Sequence, residues 1–412
     1  MSTTLDDQLL ANLMAAGSTD VVVGLPTRNH ERTVGSVVQA VLSAFEGPFI
    51  RQRTLLLNVD AGSNDNTLEL LQSSRALYGA GLRSLHQITT VLSGLPTRNT
   101  VLKLVLTASD LLRARAVVIL DPSAAELTSA DVELWVRSVL DREADYVKPV
   151  FGRGELDGPL VTQLLRPLLA TTYGFELSEP VDTQLALSGR FAAAALRSDF
   201  WGAAEAEFGV DAFLSACAMN GQVRLRQVAT QSRGRLGTNG SPTVSDVFEQ
   251  LVGATFSRLA SDVAHWLAVE GLTPVPLDGQ PPPASGPARE FSGGELVESF
   301  RLGVDALAPL LGAFLPRDLL LALTQAANAA VPEVSDELWA SVVFAFVRAA
   351  AVRHAPPRRL AQMLEPLYFG RLASQVLRPS PQQESRARDP LMGAFSNQKS
   401  ALARELRLGK EH

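Results

Sequence analysis

The chain has 412 residues, 46% hydrophobic and 19% charged, which supplies a large buried core and excludes wholesale disorder. Lys and Arg number 37 against 43 Asp and Glu, and the formal charge of −6 argues against general binding to nucleic acid or an anionic membrane. A single cysteine, Cys217, excludes intrachain disulfides and a cysteine-based metal centre.

The five histidines (30, 86, 265, 354 and 412) show no helical ligand spacing. Lysine stands only at 103, 148, 399 and 410, so the other basic residues are arginine; their bulk excess is read as compositional bias. No apolar run approaches the roughly 18–20 residues of a membrane span, and the N-terminal MSTTLDDQLL is polar and acidic. The expectation is a cytoplasmic protein without transmembrane helix or signal peptide. Length suggests two to three domains.

Five apolar, β-branched runs mark the first 150 residues: Val21–Val23, Thr54–Val59, Ile88–Leu92, Ala116–Leu120 and Tyr146–Val150. Helical periodicity falls between them, at 33–46, 66–77, 100–113 and 130–143. Buried strands alternating with helices predict an α/β domain with a mostly parallel sheet covered on both faces. Residues 160–172 and 208–219 read as helices, 223–229 as a strand and 244–270 as one longer helix. Leu272–Glu290, with six prolines, reads as a semi-rigid linker. Beyond it, 295–312, 316–330, 335–352 and 358–377 read as helices, the tail 379–389 as polar and 390–408 as a last helix. The expected division is a nucleotide-binding domain over 1–270, a linker over 271–293 and a helical domain with its tail over 294–412.

In open α/β sheets ligands sit off the carboxyl ends of the strands. Three loops occupy that place. Gly24–Thr33 follows the first strand and enters a helix; its polar groups suit a nucleotide, and equally a helix cap at Thr27 or Asn29. Asn58–Thr67 carries Asp60 and a Gly62-Ser63 turn, which fits a base or ribose and equally an Asx-type turn. Asp121-Pro122-Ser123 ends the fourth strand.

The first two loops together resemble the start of a family 2-like GT-A glycosyltransferase, where a P-x-x-N-E loop and a D-x-G-S-x-D-x-T loop hold the nucleotide of a sugar donor. Further segments resemble the retaining, family 81-like enzymes that make glucosylglycerate, mannosylglycerate or glucosyl-3-phosphoglycerate. These are Asp145–Pro149, Asp157-Gly158, Arg166-Pro167-Leu168, Tyr173-Gly174, Phe208–Asp211 and Pro366–Ser374. The resemblance covers about residues 20–380 and implies a GT-A fold with a C-terminal all-helical domain. It implies transfer of a hexose from a UDP- or GDP-sugar to a small glycerate-like hydroxy acid, Mg²⁺ or Mn²⁺ on the donor, and a homodimer. By position it places Pro26, Thr27, Asn29, Glu31, Asp60, Gly62, Ser63, Arg98, Asp121, Ser123 and Arg233 on the donor. Gly158, Thr162, Asp182 and Thr183 fall on the acceptor side, and Asp211 and Asp121 at the catalytic centre.

Four departures cluster at the site. Ser123 replaces the second acid of the family's metal-binding Asp-x-Asp, leaving Asp121 as its remaining ligand. Arg233 stands where the family has a metal-binding His, Thr97-Arg98-Asn99 where it has Gly-Lys-Gly, and Asp182-Thr183-Gln184 where it has Gly-Gly-Asp. Two readings follow. Arg98 and Arg233 replace the metal against a diphosphate in a metal-independent transferase, or the chain is an inactive relative that binds a nucleotide sugar or regulates a partner. A nucleotidyltransferase would need a Gly-rich loop after the first strand, which Gly24–Thr33 is not.

Trp135, Trp201, Trp266 and Trp339 read as packing anchors. His30 neighbours the first loop and reads either as touching the ligand or, more readily, as facing solvent at a helix start, and His265 and His354 as lying in or beside the core. Pro366–Ser374 reads as helical packing onto the first domain, with Tyr368 and Arg371 in possible reach of an acceptor pocket.

Overall fold

The computed structural model describes residues 5–49, 51–78, 84–94, 96–153, 157–198, 201, 209–221, 223–230, 233, 244–281, 283, 291–377 and 389–408. Expectations at Phe208, Gln231, Ser232, Gly234, 284–290 and 379–388 lie outside them. In chain order the elements are α1 (Asp7–Ala16), β1 (Val21–Thr27), α2 (Val34–Glu46), β2 (Thr54–Asp60), α3 (Thr67–Tyr78), β3 (Leu85–Val91), α4 (Arg98–Leu111), β4 (Ala116–Ile119), α5 (Ser129–Leu140) and β5 (Tyr146–Val150). A one-turn π-helix at Val161–Leu165 runs into α6 (Arg166–Tyr173), then β6 (Phe175–Glu176), β7 (Leu185–Ser188), α7 (Gly189–Leu196), α8 (Gly209–Asn220) and β8 (Leu225–Ala229). The rest is α9 (Val244–Ser261), α10 (Val263–Ala268), β9 (Thr273–Pro274), β10 (Leu277–Asp278), α11 (Gly293–Leu311), α12 (Arg317–Ala327), α13 (Asp336–Arg353), α14 (Pro357–Val376) and α15 (Pro390–Leu408).

The chain forms two compact units, Met1–Gly152 with Leu177–Pro242 and Val275–Ala284, and Arg153–Glu176 with Thr243–Pro274 and Ser285–His412. The units interleave along the chain and do not break at 270 and 294. One physical reason lies in the proline-rich segment. Leu277–Asp278 pairs with β8, and the buried Asp278 carboxylate accepts from Ser138 Oγ (2.8 Å) and from Arg142. Satisfying that acid fixes part of the expected linker as a strand.

The first unit holds a sheet ordered β10-β8-β5-β7-β4-β1-β2-β3. All neighbours are parallel except β7, which runs antiparallel to β4 and β5 and was not foreseen from sequence. Val21, Val23 and Leu25 alternate onto the face that packs on Val37, Val41 and Phe45 of α2 and on Val132, Trp135 and Val136 of α5. On the opposite face Gly24 lets α4 approach: a Cβ there would lie 2.7 Å from Val105 and 2.8 Å from Ile119. Thr128 caps α5, and Asp131 returns a bond to the Thr128 N–H.

The second unit is helical apart from the short β6–β9 pair. The expected helix over 244–270 is broken at Asp262, whose carboxylate accepts from Arg258 and from Tyr173 Oη (2.8 Å). Tyr368 packs between Phe248 and Trp339. Arg371 is buried among Gln163 Oε1 (3.0 Å), the Val334 carbonyl (2.8 Å) and Asp336. Pro366–Ser374 therefore packs its own unit, and Arg371 is held there. Trp135, Trp266 and Trp339 are fully buried, as packing anchors. No helix among the described residues is long and apolar enough to cross a membrane.

Candidate functional site

Strand order selects the place to look. The chain runs outward from β1 to β2 and β3, then crosses back to lay β4 on the other side of β1. The point of reversal opens a crevice at the carboxyl ends of β1 and β4. Thr27 ends β1, Asp60 ends the adjacent β2, and Asp121 stands just beyond β4.

The two loops of the sequence motif are welded to each other. Asp60 Oδ1 accepts the N–H groups of Gly62 (3.0 Å) and Ser63 (2.7 Å), and Oδ2 accepts the hydroxyls of Ser63 (2.6 Å) and Thr27 (2.7 Å). Gly62 takes φ +81°, a turn that a side chain would strain. Asn29, itself left-handed at φ 57°, donates its N–H to Ser63 Oγ (2.8 Å) and accepts from the Asn64 N–H (2.8 Å). Glu31 donates its N–H to Asp65 (3.1 Å) and accepts from the Asn66 backbone (3.2 Å) and side chain (3.1 Å). The motif residues Thr27, Asn29, Glu31, Asp60 and Ser63 thus come together, and most of their polar groups are spent on building the crevice wall.

A second group joins residues that sequence spacing could not connect. Arg98, the first residue of α4, donates from Nε to Asp211 Oδ2 (2.6 Å) and from Nη2 to Asp211 Oδ1 (2.9 Å) and the Thr183 carbonyl (2.6 Å). Thr183 Oγ1 donates to Asp121 Oδ2 (2.6 Å), and Ser123 donates its N–H to Asp121 Oδ1 (2.8 Å) and its hydroxyl to the same oxygen. Lys148 on β5, fully buried, donates to the Asp182 carbonyl (2.5 Å). Two cations from separate elements therefore grip the consecutive carbonyls 182 and 183.

Burial alone would lower the pKa of Arg98, but the carboxylates of Asp211, Asp121 and Asp182 outweigh it and hold the guanidinium charged. Burial pushes Lys148 down and Asp182 up. Asp211 is wholly buried with both oxygens engaged by Arg98, and it orients that cation. Arg98 has no partner for Nη1 among the described residues, and that nitrogen is not sealed from solvent.

His30 is half-buried in the first loop rather than facing solvent. Its backbone N–H donates to Thr67 Oγ1 (2.7 Å), and its Nδ1 accepts the Arg28 N–H (3.0 Å). Burial lowers its pKa, against the opposing pull of Asp121, Asp65 and Asp60. Sequence signalled this residue only by its place between Asn29 and Glu31.

Arg233, just beyond β8, lies with its guanidinium 5.1 Å from the centroid of the Phe151 ring, a cation–π distance. Gly158 and Thr162 belong to the second unit. Gly158 takes φ +60° against Arg153, and Thr162 sits in the π-helical turn with a buried hydroxyl lacking a partner among the described residues.

Among the described residues a divalent cation finds few protein ligands beside Asp121. Among the described residues no three His, Cys, Asp or Glu side chains are grouped to hold one. Asp121 is occupied by Ser123 and Thr183, and Arg98 already supplies positive charge beside it.

The fold is that of an open, mostly parallel α/β protein whose strand order reverses between β1 and β4. The chain is similar to solved structures of glucosyl-3-phosphoglycerate synthase from Mycobacterium tuberculosis. In complex with uridine diphosphate, that protein is 19% identical over 62% of this chain and 84% of its own, with a TM-score of 0.45. Its complex with Mn²⁺, uridine diphosphate and phosphoglyceric acid gives 21% identity over 60% and 82%, with a TM-score of 0.44. No family model matches the chain. No curated protein matches it either.

Proposed function

We propose that the protein binds a nucleoside-diphosphate hexose, UDP- or GDP-linked, in the switch-point crevice and transfers the hexose to a small glycerate-like hydroxy acid, with retention and without a divalent cation. The observation that carries this reading is the fixed Arg98 guanidinium. Asp211 and the Thr183 carbonyl lock one edge, and Nη1 is left for an anion beside Asp121. A preoriented cation stabilises a departing diphosphate as a metal would, with no reorganisation during reaction. Asp60, Gly62, Ser63, Pro26, Thr27, Asn29 and Glu31 then shape the nucleoside side, largely through the loop–loop bonds. Arg233 is a second cation for the diphosphate in this reading, and Asp121 faces the ribose. Asp182 and Thr183 serve the acceptor. A cytoplasmic homodimer completes the proposal; sedimentation of the purified chain tests the dimer.

Calorimetric titration with UDP, GDP and their glucose and mannose conjugates, with EDTA or with Mn²⁺, is the direct test. Binding that survives EDTA, followed by hexose transfer to glycerate or 3-phosphoglycerate, is expected; no heat with any nucleotide overturns the reading. The second reading, a nucleotide-sugar binder acting as a regulatory partner, draws on the full engagement of Asp211 by Arg98. It predicts the same binding with neither transfer nor donor hydrolysis.

A further inference from the structure

At the end of the sheet opposite the crevice, the first unit holds a cavity of about 190 Å³. Arg115 directly precedes β4, Asp145 precedes β5 and Arg224 precedes β8. Ser188 ends the antiparallel β7, and Arg190 stands in the first turn of α7. Together with Glu143 these residues line the cavity. The lengths of β4 and β5 set it about 13–17 Å from the carboxyl ends of the same strands, at about 3.3 Å per residue. None of this group takes part in the transfer proposed above.

Three guanidinium groups from three elements meet there, and they are engaged to different degrees. Arg190 gives Nε (2.5 Å) and Nη2 (2.7 Å) to Asp145. Asp145 also accepts the Ser188 hydroxyl (2.8 Å) and the Arg224 N–H (3.1 Å), so its four lone pairs are filled. This buried acid is a fixed wall of the cavity. Arg224 pairs through Nη1 with Glu143, and those two side chains are 51% and 67% exposed. Arg115 is exposed and makes no side-chain hydrogen bond or ion pair with another described residue. Asp20, the acid that feels its charge, is bonded to Arg53.

An ion pair as exposed as that of Arg224 and Glu143 is weak, so the Glu143 carboxylate is an exchangeable anion supplied by the chain itself. With Glu143 displaced, three guanidinium groups face one fixed carboxylate, and two positive charges are left over. A phosphoryl dianion carries the matching charge, and its tetrahedral oxygens accept from several guanidinium forks at once. A single carboxylate meets only half of that charge. The volume, against about 30 Å³ for a water in the liquid, admits a phosphoryl group with a small organic body. We propose that this cavity binds a phosphoryl dianion, as free phosphate or as the head of a small phosphate monoester, between Arg115 and Arg224 with the Arg190–Asp145 pair as its wall. The site is independent of the nucleotide reading.

Calorimetry of the full chain with inorganic phosphate and with β-glycerophosphate, at an ionic strength held constant with chloride, tests this on the wild type, Arg115→Gln, Glu143→Gln and Asp141→Asn. Arg115→Gln breaks no side-chain bond and should fold as the wild type does. It is expected to weaken binding about tenfold or more, through the loss of charge-assisted hydrogen bonds. Glu143→Gln removes the competing carboxylate and should tighten binding about two- to fivefold. Asp141→Asn removes the same charge nearby but outside the cavity lining, and should change binding by less than about twofold. Tighter binding of the monoester supports the site with an organic phosphate as its ligand, and equal or tighter binding of inorganic phosphate supports it with the free ion. No heat with either anion overturns the inference. So does an Arg115→Gln variant that binds as the wild type does, or a gain from Asp141→Asn equal to that from Glu143→Gln.

Discussion

Arg98 and Asp211, 113 residues apart in the chain, meet in a bidentate ion pair with 11% and 1% of their side chains exposed. Taking both charges out of water is costly, and each is compensated by the other. Asp211→Asn or Arg98→Met alone is expected to destabilise the fold by about 3–5 kcal/mol, because the surviving charge is left buried. The double variant should cost clearly less than the sum of the two, and urea unfolding of the four proteins measures that coupling. Additive losses would mean that the pair does not form.

Lys148 offers a second check on the same centre. It lies among Asp211, Asp182 and Glu179 and anchors the Asp182 carbonyl. Lys148→Met leaves those acids with Arg98 as their near cation and should cost about 3 kcal/mol or more. Adding Asp182→Asn removes one of the uncompensated charges and should recover part of the loss, read again from unfolding midpoints.

Asp60 is expected to behave as a structural acid. Asp60→Ala strips four hydrogen bonds and frees the Gly62 and Ser63 amides. A loss of about 2–3 kcal/mol is expected, with faster hydrogen exchange at those two amides measured by NMR. Unchanged exchange would show that the loops are not held through this carboxylate.

Divalent cations supply a contrast. Mn²⁺ should leave the melting temperature of the wild type unchanged, because Asp121 stands without a second ligating acid in its loop. Ser123→Asp restores a paired-oxygen arrangement and should produce a Mn²⁺-dependent rise in a thermal shift assay, since a ligand of the native state stabilises by mass action.

Acid sensitivity has a separate source. Burial would raise the Asp145 pKa, but hydrogen bonds from Arg190, the Arg224 backbone and Ser188 outweigh it and hold the carboxyl at about 2. A depressed carboxyl contributes stability above its unfolded value near 4, and that contribution disappears as pH falls from about 4 to 2. Asp145→Asn should flatten the stability–pH curve in that window. A variant that tracks the wild type there would place the acid sensitivity elsewhere.

Much of the architecture was legible before any coordinates. Runs such as Val21–Val23, Thr54–Val59 and Ala116–Leu120 are strands because β-branched apolar residues buried on both faces leave little else. The helices of the C-terminal half appear close to the expected 335–352 and 358–377, because 3.6-residue periodicity is local information. The loops at 24–33 and 58–67 were found at strand ends, but their side chains had two readings of similar weight, ligand contact or turn. The bonds from Asp60, Asn29 and Glu31 give a large part of that polar capacity to the turns.

What sequence alone determined was the set of local elements, the absence of a disulfide framework, and the motif acids Asp60 and Asp121 at strand ends. Tertiary structure decided the rest, because pairing between distant segments leaves no periodic trace. The antiparallel insertion of Leu185–Ser188, the return of Leu277–Asp278 to the sheet and the capture of Asp211 by Arg98 all join residues many positions apart. Each is fixed by the need to satisfy a buried polar group or strand edge, a requirement that exists only once the core around it has formed.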